Sequence, residues 1–345
     1  VSDSEGDPLA IDNEYLSDFQ PDLKVEIFDD YRKMIAEGNI DAVNDYTIHS
    51  LHHQIAELSF VHGKHLMSQK PLAITVKAAQ QMCERAEAAG VSFGVFENLR
   101  HIPDVRRMKW AFSPEGPLGD VQMALFGNAG NWWAPDRIVA ETPWRHKLIE
   151  AGGIALDMGP HWFDMIRYIA GEIRAVSGRT AVVEPARTTH KDGELIDKID
   201  CDADDTFHAN YETENGVTGS IYGSWAGRGE ATVVGNGAVF YGTKGRLDWD
   251  QLTVHGEALV SLKELHQPKF PLGLEDDFAL AQHDWLEAIR QGTQPETSGE
   301  EGLRDLACAF AVVESAKVRR EIAVSEILDG SVSAYQDPIN EHFGI

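Results

Sequence analysis

Residues 40–73 read IDAVNDYTIHSLHHQIAELSFVHGKHLMSQKPLA. The first eight form a short run with the character of a buried strand. Residues 49–62 have helical spacing and Gly63 stops them. Residues 65–69 are a second strand, and Lys70-Pro71 is a turn. A strand–helix–strand unit of this length implies parallel strands joined by a crossover helix. The pattern continues on both sides. Residues 25–28 suit a short strand, followed by Asp29-Asp30 as caps of a helix through Glu37 that Gly38-Asn39 ends. Residues 75–89 form an amphipathic helix closed by Gly90, and residues 91–97 are the next strand. Such alternation predicts a parallel sheet covered by helices, with ligands bound beyond the carboxyl ends of its strands. Those ends are Tyr46-Thr47, Gln69-Lys70 and Glu97-Asn98.

The remainder has a different rhythm. A helix over 104–112 leads through Gly119 to a strand at 121–126. Strand candidates follow at 173–183, 206–211, 217–224, 231–234, 238–241 and 247–249. Glu214-Asn215-Gly216, Gly227-Arg228-Gly229, Gly235-Asn236-Gly237 and Gly242-Thr243-Lys244-Gly245 separate them as hairpin turns. This predicts a large, mostly antiparallel sheet. Residues 188–204 are polar and acidic and read as a loop. Helices are expected over 277–291 and 302–319, with Phe278, Ala281, Trp285 and Ile289 as a core stripe. The fold class is therefore α/β in two domains, residues 1–100 with the parallel sheet and 101–345 with the antiparallel one.

The 345 residues carry a net charge of −26, from 56 acids against 30 bases. Such a surface repels nucleic acid and anionic membranes, so neither is an expected partner. No apolar run spans a bilayer, and no basic-then-apolar leader is present. Cys83, Cys201 and Cys308 are dispersed, form no CxxC, and fit a reducing, cytoplasmic setting.

One stretch of the second domain carries chemistry. Residues 151–171, AGGIALDMGPHWFDMIRYIAG, place Asp157, His161 and Asp164 at helical spacings of four and three on an otherwise apolar helix. One reading is a core histidine satisfied by its neighbouring acid. The other is a proton-transfer pair, an imidazole tuned by a carboxylate.

These pieces, in this order, resemble a known family. Asp41-Ala42-Val43, Thr47 with His52, Gly63-Lys64-His65, Gln69-Lys70-Pro71-Leu72-Ala73, and Gly152-Gly153 followed by Asp157, Gly159, His161 and Asp164 are similar to the glucose–fructose oxidoreductase / inositol dehydrogenase family. Asp205-Thr206, Asn215-Gly216, residues 241–245 and residues 285–289 agree with it. The resemblance implies a Rossmann domain followed by a sheet domain, and NAD(P)-dependent oxidation of a sugar, polyol or cyclitol. It implies Lys70, Asp157 and His161 as the catalytic set. Cofactor contacts are then expected from Asp3, Thr47, His52, Gln69, Lys70 and Asn98, and substrate contacts from Asn98, Arg100, Trp144, Arg145 and His161, with Trp132-Trp133 as further candidates. NAD is favoured over NADP by an acid at Asp3, no metal is implied, and a homodimer or tetramer is expected. A lysine ammonium stabilises a developing alkoxide and a histidine accepts its proton, but either Lys70 or His161 is admissible as the formal base.

The front departs from the family. Residues 1–100 contain glycine only at 6, 38, 63, 90 and 94, so the G-x-G-x-x-G turn that cradles a pyrophosphate is missing. The Rossmann unit is thus expected to be N-terminally incomplete, either because the chain starts late, with Asp3 closing the second strand, or through a true loss that weakens NAD binding. Gln69 replaces the family's glutamate before the lysine, Ile48 replaces a proline, and Asp45 is an unusual buried-strand residue unless it faces the cofactor cleft. Two other functions fit less well: glycoside hydrolysis or elimination through transient oxidation, and a regulatory or scaffolding role.

Overall fold

A computed structural model describes residues 26–130, 135–256 and 260–345. Asp3, Trp132 and Trp133 lie outside the described residues. Helix α1 (Tyr31–Glu37) is capped by Asp30, whose side chain accepts from Arg32 N. Strand β1 (Ala42–Asp45), α2 (His49–Val61), β2 (His65–Ser68), α3 (Val76–Ala89) and β3 (Phe93–Val95) then alternate. The three strands form a parallel sheet in sequence order, with Val43 opposite Leu66 and Leu66 opposite Phe93. Residues 26–28, expected as strand, are not strand. Thr75 caps α3 through its hydroxyl, and Gly90 ends it at φ +67°, a conformation open to glycine without steric penalty.

After α4 (Pro103–Ala111) comes β4 (Val121–Ala129), then two short helices, α5 (Ile154–Asp157) and α6 (Gly159–Ala170). The stretch expected as one helix is therefore broken at Met158. Pro160 lies in the first turn of α6; it has no N–H to give to α5 and starts a new helix instead.

Strands β5 (Ile173–Ala181), β6 (Ala186–Lys191), β7 (Glu194–Asp200), β8 (Thr206–Thr213), β9 (Thr218–Ser224), β10 (Thr232–Gly242), β11 (Gly245–Asp248), β12 (Gln251–Val254) and β13 (Val260–Ser261) follow. With β14 (Ile322–Ala323) and without β6 and β7 they build a nine-stranded sheet, ordered β13-β12-β11-β10-β4-β9-β8-β5-β14. Its pairs are antiparallel except β4–β9, which is parallel.

Three expectations need correcting here. Residues 188–204 are no loop; β6 and β7 pair as a hairpin. Their side chains are largely exposed and give no hydrophobic alternation to read. What anchors the hairpin is Arg187, fully buried, donating to Arg137 O at 3.0 Å and to Asp205 Oδ2 at 3.3 Å. Gly227-Arg228-Gly229 is no hairpin turn either, because β4 lies between the two strands it connects, β9 and β10, and nor is Gly235-Asn236-Gly237. It lies within β10 as an irregularity between Val233 and Ala238, with Asn236 N donating to Asp248 Oδ1 at 2.7 Å. Glycines at positive φ there serve a bulge.

Helix α8 (Gly299–Val318) packs on both sheets, against β5 and β3, while α7 (Asp277–Gln291) packs under the parallel one. Trp285 and Ala281 of α7 pack with Met67 and Phe96 beneath the parallel sheet. Gly94 bridges Ser298 beyond β3. Helix α8 is buried along most of its length. A side chain at Gly178 of β5 would sit 2.4 Å from Val312 O, so helix and sheet meet backbone to backbone. The carboxyl ends of β1–β3 consequently face α5 and α6.

Candidate active site

A cleft of 580 Å³ opens where the parallel strands end. It is lined by Tyr46, Thr47, Gln69, Lys70 and Asn98 from that side, and by Thr142, Trp144, Arg145, Met158, His161 and Trp162 from the other. Ile48, His49, Leu99 and Phe278 complete its wall. At its centre Lys70, the first residue of a cis Lys70–Pro71 turn, reaches across to α5. Its Nζ donates to Asp157 O at 2.8 Å and to Asp157 Oδ1 at 3.1 Å. An ammonium has three N–H groups, so one remains for a molecule in the cleft. The other carboxylate oxygen, Asp157 Oδ2, accepts from Arg145 Nε at 3.1 Å. Burial opposes ionisation of Asp157, but the Lys70 and then the Arg145 charge outweigh it and hold its carboxyl well below the usual range.

Arg145 is itself fixed. It donates to Thr142 Oγ1 at 2.5 Å and lies 4.3 Å over the Trp144 ring. Trp144 meets His49 edge to face at 4.7 Å. Burial pushes the His49 imidazole down to about 4, and its Nε2 lies 2.5 Å from Glu150 O. The loop that carries Trp144 and Arg145 folds back on the glycine pair. Gly153 N donates to Arg145 O at 2.8 Å. A Cβ on Gly152 would sit 2.6 Å from the Arg145 and Trp144 carbonyls, and Gly153 has φ +109°. The glycines thus allow the close approach that sets Arg145 beside Asp157.

His161 departs from expectation. Its partner is Glu97 at the end of β3, whose Oε1 accepts from Nδ1 at 2.5 Å; Asp157, expected to pair with it, is committed to Lys70 and Arg145. The broken helix is the reason, since a spacing of four no longer aligns the two side chains. Glu97 is 2% exposed and received no role from the sequence; its place at a strand's carboxyl end was its one signal.

The other expected residues divide. Lys70, Thr47, Gln69, Asn98, Trp144, Arg145 and His161 line the cleft. Gln69 Oε1 accepts from Lys70 N at 2.8 Å, and Asn98 Nδ2 donates to Asp277 Oδ2. His52 and Arg100 do not line it. His52 is fully buried, its ring nitrogens 3.1 Å from Thr47 O and from Pro71 O, so it joins the turns after β1 and β2. Arg100 is a correction: it turns inward to Asp164 and Glu301 and stacks on Tyr168. Asp45 Oδ1 accepts from Thr47 N at 2.9 Å and Oγ1 at 2.7 Å, ordering the turn after β1, while its buried Oδ2 has no partner. Thr142 and Trp162 are cleft residues that the sequence did not single out, and Phe278, expected in a core stripe, is instead 49% exposed on the cleft wall.

Residues 9–97 match the family described as "Oxidoreductase family, NAD-binding Rossmann fold", and residues 111–248 match "GFO/IDH/MocA C-terminal domain". The chain belongs to the Gfo/Idh/MocA oxidoreductase family. Levoglucosan dehydrogenase of Pseudarthrobacter phenanthrenivorans is 25% identical over 330 residues, covering 86% of this chain and 83% of that protein. D-xylose dehydrogenase of Paenarthrobacter nicotinovorans is 27% identical over 205 residues; that match takes in 58% of this chain and 51% of the dehydrogenase, about half its length. A solved levoglucosan dehydrogenase in complex with NADH and L-sorbose superposes with a TM-score of 0.73 at 26% identity, covering 87% of this chain and 84% of that one. The Gfo/Idh/MocA chain described here is thus an NAD-binding oxidoreductase whose relatives act on sugars. No helix among the described residues is long and apolar enough to cross a membrane.

Asp204 sits beneath the glycine pair. Its Oδ2 accepts from Ala155 N at 3.1 Å while its buried Oδ1 has no partner. Burial pushes this carboxyl up to about 7 from an ordinary 3.8. Between those pH values the native chain binds more protons than the unfolded one, so stability falls as pH rises from 3.8 towards about 7. Asp204→Asn retains an acceptor for Ala155 and removes the titration. Thermal unfolding is expected to show the variant melting above the wild type at pH 8, by at most about 4 kcal/mol, with the gap closing towards pH 4. A gap that does not vary with pH would refute this account.

Proposed function

We propose that the cleft oxidises a CH–OH carbon of a sugar or sugar-like polyol with NAD as hydride acceptor, Lys70 and His161 acting on the hydroxyl. The observation that carries this reading is the Lys70 ammonium, delivered from a Rossmann strand end and held by Asp157 in the cleft that His161 lines. The lining also suits an anionic dinucleotide: it offers Thr47, Gln69 and Asn98 at the strand ends and has no acidic residue among those that form it. Thr47, Gln69, Lys70 and Asn98 would hold the cofactor, whose nicotinamide, when bound, supplies the hydride acceptor.

The chain's own groups do the rest. The uncommitted N–H of Lys70 donates to the substrate oxygen and stabilises negative charge as it develops there. Asp157 keeps the ammonium in place through two acceptors. His161 Nε2, left free by the bond at Nδ1, takes the hydroxyl proton. Trp144 and Trp162 present flat faces to sugar C–H groups, and Arg145 and Asn98 present donors to further hydroxyls.

The test is NADH formation with a panel including levoglucosan, D-xylose and myo-inositol, the substrate names carried by relatives. NADH is expected to accumulate with at least one sugar or polyol. Binding of NADH with no turnover of any of them would count against the reading, and glycoside cleavage without net NADH would redirect it to transient oxidation.

A further inference from the structure

We propose that Glu97 is the positioning residue of the proton-transfer step: by accepting from His161 Nδ1, it holds the imidazole in the tautomer whose Nε2 is free to take the substrate proton. The proposal rests on the oxidoreductase reading above and adds a residue to it.

The geometry separates two carboxylates that the sequence merges into one. Asp157 has both oxygens committed to cations, Oδ1 to Lys70 and Oδ2 to Arg145. Glu97 serves His161 from the opposite side, from the end of β3. Its main chain is set by a bond from its N to Val95 O at 2.8 Å. Its carboxylate is almost fully buried, while His161 keeps a side-chain exposure of 14% on the cleft.

The surroundings of Glu97 make its dependence on His161 acute. Asp164, Glu301 and Asp305 lie in the same buried region, and each pairs with an arginine: Asp164 and Glu301 with Arg100, Asp305 with Arg167. Among the described residues Glu97 has no arginine or lysine partner; its ion-pair partner is His161. A buried carboxylate is stabilised by a positive charge at hydrogen-bond distance, and here that charge arises when the imidazole takes up a proton. Glu97 therefore lies where oxidation of the substrate places that charge. In that step the substrate O–H bond breaks and its electron pair becomes the second C–O bond. The C–H pair leaves as hydride to NAD, and the proton rests on His161 Nε2.

An unassisted imidazole has no fixed tautomer, and with Nε2–H it is a donor and no base. A carboxylate only accepts, so Nδ1 must carry the hydrogen. Lys70 and Arg145 also face the cleft, with Asp157 behind them, and Arg100, His101 and Asp164 lie behind Glu97. They are shared by the wild type and a Glu97 variant, so the difference between the two isolates Glu97.

The experiment is 15N NMR of histidine-labelled protein, with the His161 resonances assigned through His161→Asn, combined with steady-state kinetics. The wild type is expected to show Nδ1–H with unprotonated Nε2 in the neutral ring. Glu97→Gln, whose amide can also donate, is expected to lose that tautomer. Its kcat should fall about 10²-fold with NADH affinity unchanged within threefold. Glu97→Asp keeps a carboxylate that can only accept and is expected to restore most of the Nδ1–H tautomer. An Nε2–H tautomer in the wild type, an Nδ1–H tautomer retained in Glu97→Gln, or kcat within threefold of wild type would each overturn the proposal. The NMR arm needs no substrate. A wild-type protein that turned over no sugar would therefore overturn the oxidoreductase reading, while the Glu97–His161 pair would still stand or fall on the tautomer.

Discussion

Lys70→Met is expected to lower kcat/KM for sugar oxidation by about 10³-fold while leaving the fold nearly intact. The methionine stem fills the volume of the lysine stem but offers no N–H to an oxygen gaining charge. Donors of this kind act at the transition state more than on the bound alcohol, so the loss should fall on kcat and leave KM within a few fold. The structural consequence is small because Asp157 retains Arg145 at 3.1 Å and is not left as an unpaired buried charge. Lys70→Arg tests the geometry separately. It preserves the charge, but a planar fork cannot reproduce the paired contacts of Nζ with Asp157 O and Oδ1, and it should recover little activity. Steady-state kinetics beside thermal unfolding decide the matter. A Lys70→Met enzyme within tenfold of wild type would remove Lys70 from the chemistry.

How much of this site was legible depended on whether the relevant relation ran along the chain or across it. The alternation around β1, α2 and β2 was legible because parallel strands must be joined by crossovers of that size, and it located Lys70 and Asn98 at strand ends without further help. Arg145 and Trp144 were expected as substrate contacts from the family resemblance, and they do line the cleft. The partner of His161 was not. Helical spacing reports neighbours three and four residues away, and it offered Asp157; the true partner, Glu97, comes from the other sheet and is 64 residues distant. The same blindness applied to Arg100. A strand-end arginine in sequence is equally suited to a cleft or to a buried acid, and only the position of Asp164 on α6 decides between them. The β6–β7 hairpin was missed for a related reason: its anchor is one buried arginine, and its outward faces give no alternation.

Asp157→Asn is expected to be the most damaging single change, because Asp157 serves both stability and chemistry. Its carboxylate compensates two cations in a nearly dry position, with the Asp157 side chain 10% exposed against 17% for Lys70 and 20% for Arg145. An amide retains one acceptor but turns its NH2 towards a donor, leaving two like charges close together. Loss of one member of a buried ion pair is worth about 3 kcal/mol, and some water access at Lys70 and Arg145 holds the figure near that lower end. The sign of the pH dependence follows from the depressed carboxyl of Asp157. Its stabilisation is fully present above the ordinary value of 3.8 and is lost as pH falls towards the folded-state value. The wild type should therefore melt well above the variant at pH 7, and the two should converge below pH 4. Activity should fall at least as far as in Lys70→Met, since the ammonium loses a side-chain acceptor as well as its compensating charge. The double variant Lys70→Met/Asp157→Asn distinguishes the two roles. With one cation removed it should regain part of the lost stability, yet its kcat/KM should lie close to that of the worse single variant, because groups acting as a unit are not additive. Full additivity in kcat/KM would mean that Asp157 acts on the substrate independently of Lys70, and a double variant less stable than Asp157→Asn would mean that the carboxylate is not there to compensate the two cations.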